Sequence, residues 1–174
     1  MSRFTPLAHA ERPQPDRRPD LQRRRLGLLA LWPFLAGGAA TAATSPPAPT
    51  RVEVWKGPSC GCCSDWIEHL QANGFSVVAH DEGNTDARAR LGMPLALGSC
   101  HTARVEGYVI EGHVPAREIR RLLREHPRAV GLAVPGMPQG SPGMDGPLTR
   151  GRRDPFDVLL VARDGRYSVY QSYR

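Results

Sequence analysis

The sequence is poor in aromatic residues, with three Trp, four Tyr and four Phe among 174 positions. It contains no phosphate-binding glycine loop, no convincing Ser-His-Asp set and no pair of carboxylates with a cleft to serve. Nucleotide hydrolysis and general acid–base hydrolysis therefore find no sequence support. Positive charge is also less abundant than the net +6 suggests. Residues 1–43 hold seven Arg against Glu11, Asp16 and Asp20, leaving 16 basic and 14 acidic residues beyond them. A nearly balanced remainder removes the electrostatic argument for nucleic acid. Long apolar runs are missing too. Leu26–Ala36 is the best candidate, and about eleven residues are too few for a comfortable membrane span.

What surrounds that run has its own logic. Arg23-Arg24-Arg25 precedes it, and the small residues Gly37-Gly-Ala-Ala-Thr-Ala-Ala43 follow it. A basic stretch, an apolar stretch and an Ala-x-Ala pattern read as a signal peptide over residues 1–43, cleaved near Ala42 or Ala43. Pro33 argues against a retained helix, so no membrane contact is expected after cleavage. The long polar start and the Arg triplet suit twin-arginine export, and the triplet suits the Sec route equally. Either route delivers the mature protein to the periplasm, where disulfides persist. Residues 44–50, Thr-Ser-Pro-Pro-Ala-Pro-Thr, read as a Pro-rich linker. A single domain is expected over residues 51–174.

Within it, Arg51–Trp55 alternates like a strand. Ser64–Asn73 reads as a helix with Trp66, Ile67 and Leu70 on one face, stopping at Asn73-Gly74. Phe75–Ala79 is a second strand, parallel to the first through a right-handed βαβ crossover. Asp86–Leu91 is a short helix ending at Gly92. Ala103–Val105 and Tyr108–Ile110 flank Glu106-Gly107 as a hairpin. Val114-Pro115 opens a helix with Ile119, Leu122 and Leu123 at helical spacing. Residues 130–155 are Gly- and Pro-rich and read as a loop, and Phe156–Val161 with Tyr167–Tyr170 form a last hairpin. The order is βαβ, short helix, ββα and then an appended hairpin, and its first part has the connectivity of an α/β, thioredoxin-like domain.

Cysteine is sparse but concentrated. Cys60, Cys62 and Cys63 fall within four residues where a strand hands over to a helix, and Cys100 follows much later. A helix N-terminus offers free N–H groups and a positive dipole end, which favour thiolate. In a thioredoxin-like fold the segment entering the third strand approaches that N-terminus, so Cys100 is expected to face the turn. Soft thiolates select copper(I), which tolerates bridging sulfurs and so permits a multinuclear cluster. Zinc, the alternative, wants one tetrahedral shell, commonly from two separated Cys pairs. The Cys60–Cys63 pair alone has the spacing of a thiol–disulfide oxidoreductase, with Cys62 as a disturbing third thiol. Two structural disulfides are a further reading, in which Cys62–Cys63 would be strained.

Candidate accessory ligands are His101, beside Cys100, His113, and the thioethers of Met137 and Met144 in the Gly/Pro-rich loop. Their ordinary roles are structural or packing ones. Trp66 is expected in the core, His69 at the surface, and Arg120, Arg121, Arg124 and Arg128 on a solvated basic face.

The segments Trp55–Trp66, Ser99-Cys-His-Thr, Gly107–Pro115, Gly131–Pro138, Ser141–Met144 and Asp154–Leu160 together resemble the CopG-type family of bacterial exported metal-binding proteins. The resemblance covers about residues 51–170. That family carried the label of a domain of unknown function, and some members are implicated in periplasmic copper resistance. The resemblance implies a thioredoxin-like fold and a copper ligand set of Cys60, Cys62, Cys63 and Cys100. The expected partners are copper ions and other exported copper-handling proteins.

Overall fold

The computed structural model describes residues 48–174. The signal-peptide reading and most of the linker lie outside them. Among the described residues seven strands and three α-helices form one mixed α/β unit, and no helix is long and apolar enough to cross a membrane.

The first strand, β1 (Arg51–Lys56), buries Val52 and Val54 on one side of the sheet, as its alternation requires. Helix α1 (Gly61–Ala72) starts three residues earlier than the apolar spacing indicates, so Cys62 and Cys63 lie in its first turn and Cys60 is its N-cap. Gly74, at φ +77°, ends it, and Phe75 N–H returns to Leu70 O at 3.1 Å. Strand β2 (Ser76–His80) pairs parallel with β1. Helix α2 (Thr85–Leu91) closes on Gly92 in the left-handed region. Strands β3 (His101–Val105) and β4 (Tyr108–Glu111) meet through Glu106-Gly107, both with positive φ, the two-residue turn that matches strand twist. Helix α3 (Ala116–Glu125) ends at left-handed His126, just before Pro127.

One expectation fails here. The stretch from residue 130 does not begin as loop: Ala129–Ala133 is strand β5, parallel to β4. Its five residues lie between two neighbours and are apolar on both faces, so no alternation marks it. Gly131, which suggests a break, is needed for close approach, because a Cβ there would collide with the Val109 carbonyl. Strands β6 (Phe156–Ala162) and β7 (Tyr167–Tyr173) continue from β5, so the last hairpin completes the sheet. The strand order is β2-β1-β3-β4-β5-β6-β7.

Both faces are covered. Trp66 and Leu70 of α1 and Ile119 and Leu122 of α3 pack on Val54, Ala103, Ile110 and Leu132. On the other face Met93 and Leu97, just after α2, pack on Val109, Ala133 and Val161. Of the expected basic face, Arg120 donates to the Asn73 carbonyl and Arg121 to Glu125 and the Tyr170 carbonyl. Arg128 lies beyond the end of α3.

Candidate metal centre

Two elements deliver four sulfurs to one place. The N-terminal turn of α1 carries Cys60, Cys62 and Cys63, and Cys100 immediately precedes β3. Since β1 pairs with β3, with Lys56 opposite His101, the start of β3 lies beside the end of β1 that feeds α1. Cys62 Sγ is 3.6 Å from Cys60 Sγ and 3.7 Å from Cys100 Sγ. All four sulfurs lie within 4.8 Å of one another. Cys60 and Cys63 are joined in a disulfide, whereas Cys62 and Cys100 are thiols. Cys63 is buried and the other three are half-buried.

Two histidines complete the surroundings. His113 Nε2 is 3.0 Å from Cys100 Sγ, and its Nδ1 is 2.8 Å from the Pro142 carbonyl. A carbonyl only accepts, so Nδ1 carries the proton and Nε2 presents its lone pair to the sulfur. His101 Nδ1 is 3.3 Å from the same sulfur, while its Nε2 is buried without a partner. The His101 ring packs on Trp66 at 4.3 Å and edge-on against His113 at 4.9 Å. Cys100, His101 and His113 thus form a second convergent donor set.

Burial controls the protonation of this group. It lowers His101 to about 3, helped by the nearby His113, and it lowers His113 despite the opposing bond to Pro142. Both rings are therefore neutral near pH 7 and have lone pairs to offer. Burial, with Cys62 adding to it, pushes the Cys100 thiol up to about 12. A bound cation reverses that preference, because a coordinating thiol gives up its proton.

A strap closes one side. Gly143, at φ +81°, packs on α1 so closely that a Cβ would lie 2.6 Å from Cys62 O and 2.7 Å from Trp66 N. Ser141 is fully buried, and its hydroxyl donates to Pro138 O. Met144 is half-buried on this strap, and Met137 is 54% exposed. Trp66 is buried, and its indole donates to Val114 O at 2.9 Å.

His69 departs from its expected surface role. It is half-buried, and its Nε2 accepts the Ala116 N–H at 3.1 Å, capping the start of α3. Sequence reasoning also missed a buried polar group behind Cys100. Glu111, fully buried, accepts from Arg88 Nε at 3.0 Å, Ser99 N–H at 2.7 Å and Thr102 Oγ1 at 2.6 Å. Burial raises the Glu111 carboxyl pKa, and the bonds from Arg88, Thr102 and Ser99 oppose that. A lone acid beside Val109 and Ile110 was the available signal, since a buried carboxylate demands partners.

A family model described as protein of unknown function, DUF411, matches residues 97–144, which include Cys100, His101 and His113. No curated protein matches. A solved structure of the copper resistance protein copG, Form 2, is 47% identical, with 72% of this chain and 99% of that chain covered and a TM-score of 0.67. Form 1 of the same protein is 48% identical, with 72% and 98% covered and a TM-score of 0.66. With identity at that level over nearly the full length of those structures, the chain belongs to the CopG-type copper resistance family.

Proposed function

We propose that the chain is a periplasmic copper(I)-binding protein that holds its cargo on Cys60, Cys62, Cys63 and Cys100 and acts in copper tolerance. One observation carries the reading: four sulfurs from distant parts of the chain converge within 4.8 Å. Close-set thiolates can bridge soft ions, so the set suits several copper(I) ions better than one tetrahedral zinc. His113, with a lone pair 3.0 Å from Cys100 Sγ, is the better placed accessory ligand. His101 stands second, and Met144 is better placed than exposed Met137. The strand order β2-β1-β3-β4 and the position of α1 between β1 and β2 support a thioredoxin-like core. The export signal in residues 1–43 supports the periplasmic assignment. Copper(I) is the cargo, and other exported copper-handling proteins are its expected donors or acceptors.

Full loading needs all four sulfurs reduced. A dithiol that takes the Cys60–Cys63 bond leaves as its own disulfide, supplying the two electrons that make two further thiols. That same bond, at a helix N-terminus with Cys62 Sγ 3.6 Å away, supports a second reading as a thiol–disulfide or copper oxidoreductase.

Titration of the reduced full chain with copper(I) against a chelator, with zinc present, tests the first reading. Copper(I) should bind in preference to zinc, and Cys62→Ser should abolish multinuclear binding while changing stability by less than about 1 kcal/mol. Preference for zinc would overturn the copper assignment. A Cys62→Ser chain that keeps its full copper would remove Cys62 from the ligand set. Turnover of a model disulfide that survives Cys62→Ser would favour the oxidoreductase.

A further inference from the structure

Cys100 has no regular structure of its own to hold it. It follows the short 3-10 turn Leu95–Leu97 and precedes the first residue of β3. A ligand in such a place drifts unless its backbone is fixed from outside. Here the fixing is dense. The Ser99 N–H donates to Glu111 Oε1 at 2.7 Å, and the Ser99 carbonyl accepts from Arg88 Nη2 at 2.6 Å and Asn84 Nδ2 at 3.1 Å. Both backbone polar groups of the residue before Cys100 are thus held by side chains from other elements.

Glu111 is the hub. Thr102 lies opposite it in the β3–β4 register and donates to Oε2, and Arg88 pairs with Oε1 at 2.8 Å. Asn84 closes the ring by donating to Thr102 Oγ1 at 3.2 Å. The group lies on the α2 side of the sheet, whereas His101 packs with Trp66 on the α1 side. A fully buried carboxylate is costly to keep, and an apolar residue would pack at the same point on β4 without that cost. What the carboxylate adds is a rigid grip on the Ser99–Cys100 backbone.

We propose that Glu111, with Arg88, is a positioning residue that sets Cys100 Sγ against Cys62 and His113. The inference rests on Cys100 serving as a copper ligand, as proposed above. Partners that orient a ligand from behind typically alter metal affinity ten- to a hundredfold when lost.

The test separates position from copper. In the full chain with Cys60→Ser and Cys63→Ser, only Cys62 and Cys100 remain as thiols. Phenylarsine oxide bridges two thiols at about van der Waals separation, so its dissociation constant reads their spacing without copper. Adding Glu111→Gln should raise that constant about tenfold or more, with the near-ultraviolet circular dichroism of the folded chain retained. Thr102→Val should raise it in the same direction, and Thr102→Ser, which keeps the hydroxyl, should restore the parent value. An unchanged constant in folded Glu111→Gln overturns the inference, even if its melting temperature falls. If Glu111→Gln does not fold, Asn84→Ala decides. It loses only the bonds to Ser99 O and Thr102 Oγ1, and Asn84 makes no side-chain cap bond to α2. A raised constant there supports the inference and an unchanged one overturns it. A parent chain that fails to bind the arsenical overturns it as well. A wild-type chain that binds the arsenical but no copper(I) defeats the copper reading and leaves the positioning result intact.

Discussion

Cys62 touches two other sulfurs, Cys60 at 3.6 Å and Cys100 at 3.7 Å, and so links the α1 turn to the β3 entry. Its cluster was legible because three cysteines within four residues need no tertiary knowledge to be noticed. His69 was not legible, because its role depends on where α3 begins. Its bond to Ala116 N–H requires a neutral ring. Burial holds His69 below its usual 6.5, with Asp145 opposing. Between the lowered folded value and 6.5 the unfolded chain binds the additional proton, so the contribution is present above about pH 6.5 and lost as pH falls below it. His101 and His113 are lowered too and act with the same sign. Denaturant unfolding between about pH 7.5 and 5 should show stability falling with acid, and His69→Ala should make the fall shallower. An unchanged slope would mean that His69 does not titrate on unfolding as described.

At the level of elements, α1, α2, β3 and β4 followed from apolar spacing and turn residues, while β5 did not. A strand buried on both faces shows no period of two, and five residues containing Gly131 look like part of the loop that follows. Gly131→Ala tests its place in the sheet. The added methyl meets a backbone carbonyl that cannot turn away, so destabilisation of about 1–3 kcal/mol or more is expected in urea unfolding. A neutral result would contradict the close β4–β5 approach. The strap makes a second demand. Gly143→Ala adds a methyl against Cys62 O and Trp66 N at a backbone angle that disfavours a side chain. The strap should lift, and alkylation of Cys62 and Cys100 should accelerate while the melting temperature changes little. Equal alkylation rates would show that the strap does not shield the sulfurs. The Glu111 group was hidden for a related reason. Its parts come from α2, the loop before β3, β3 and β4, and no sequence spacing links them.

Over the whole molecule, one sheet places its two helical layers in different relations to the same cysteine. The α1 side supplies sulfurs, a histidine and the Trp66 wall, and the α2 side supplies the grip on Ser99. In this arrangement Cys60 and Cys63 are joined, and Cys62 and Cys100 are free thiols. Metal analysis of the chain purified without oxygen after growth with copper and zinc, together with a count of alkylatable thiols, distinguishes what the site holds. We expect several copper ions per chain, with all four cysteines protected until the copper is removed by a chelator. One zinc per chain, or metal-free protein with two disulfides, would contradict a copper-thiolate site on Cys60, Cys62, Cys63 and Cys100.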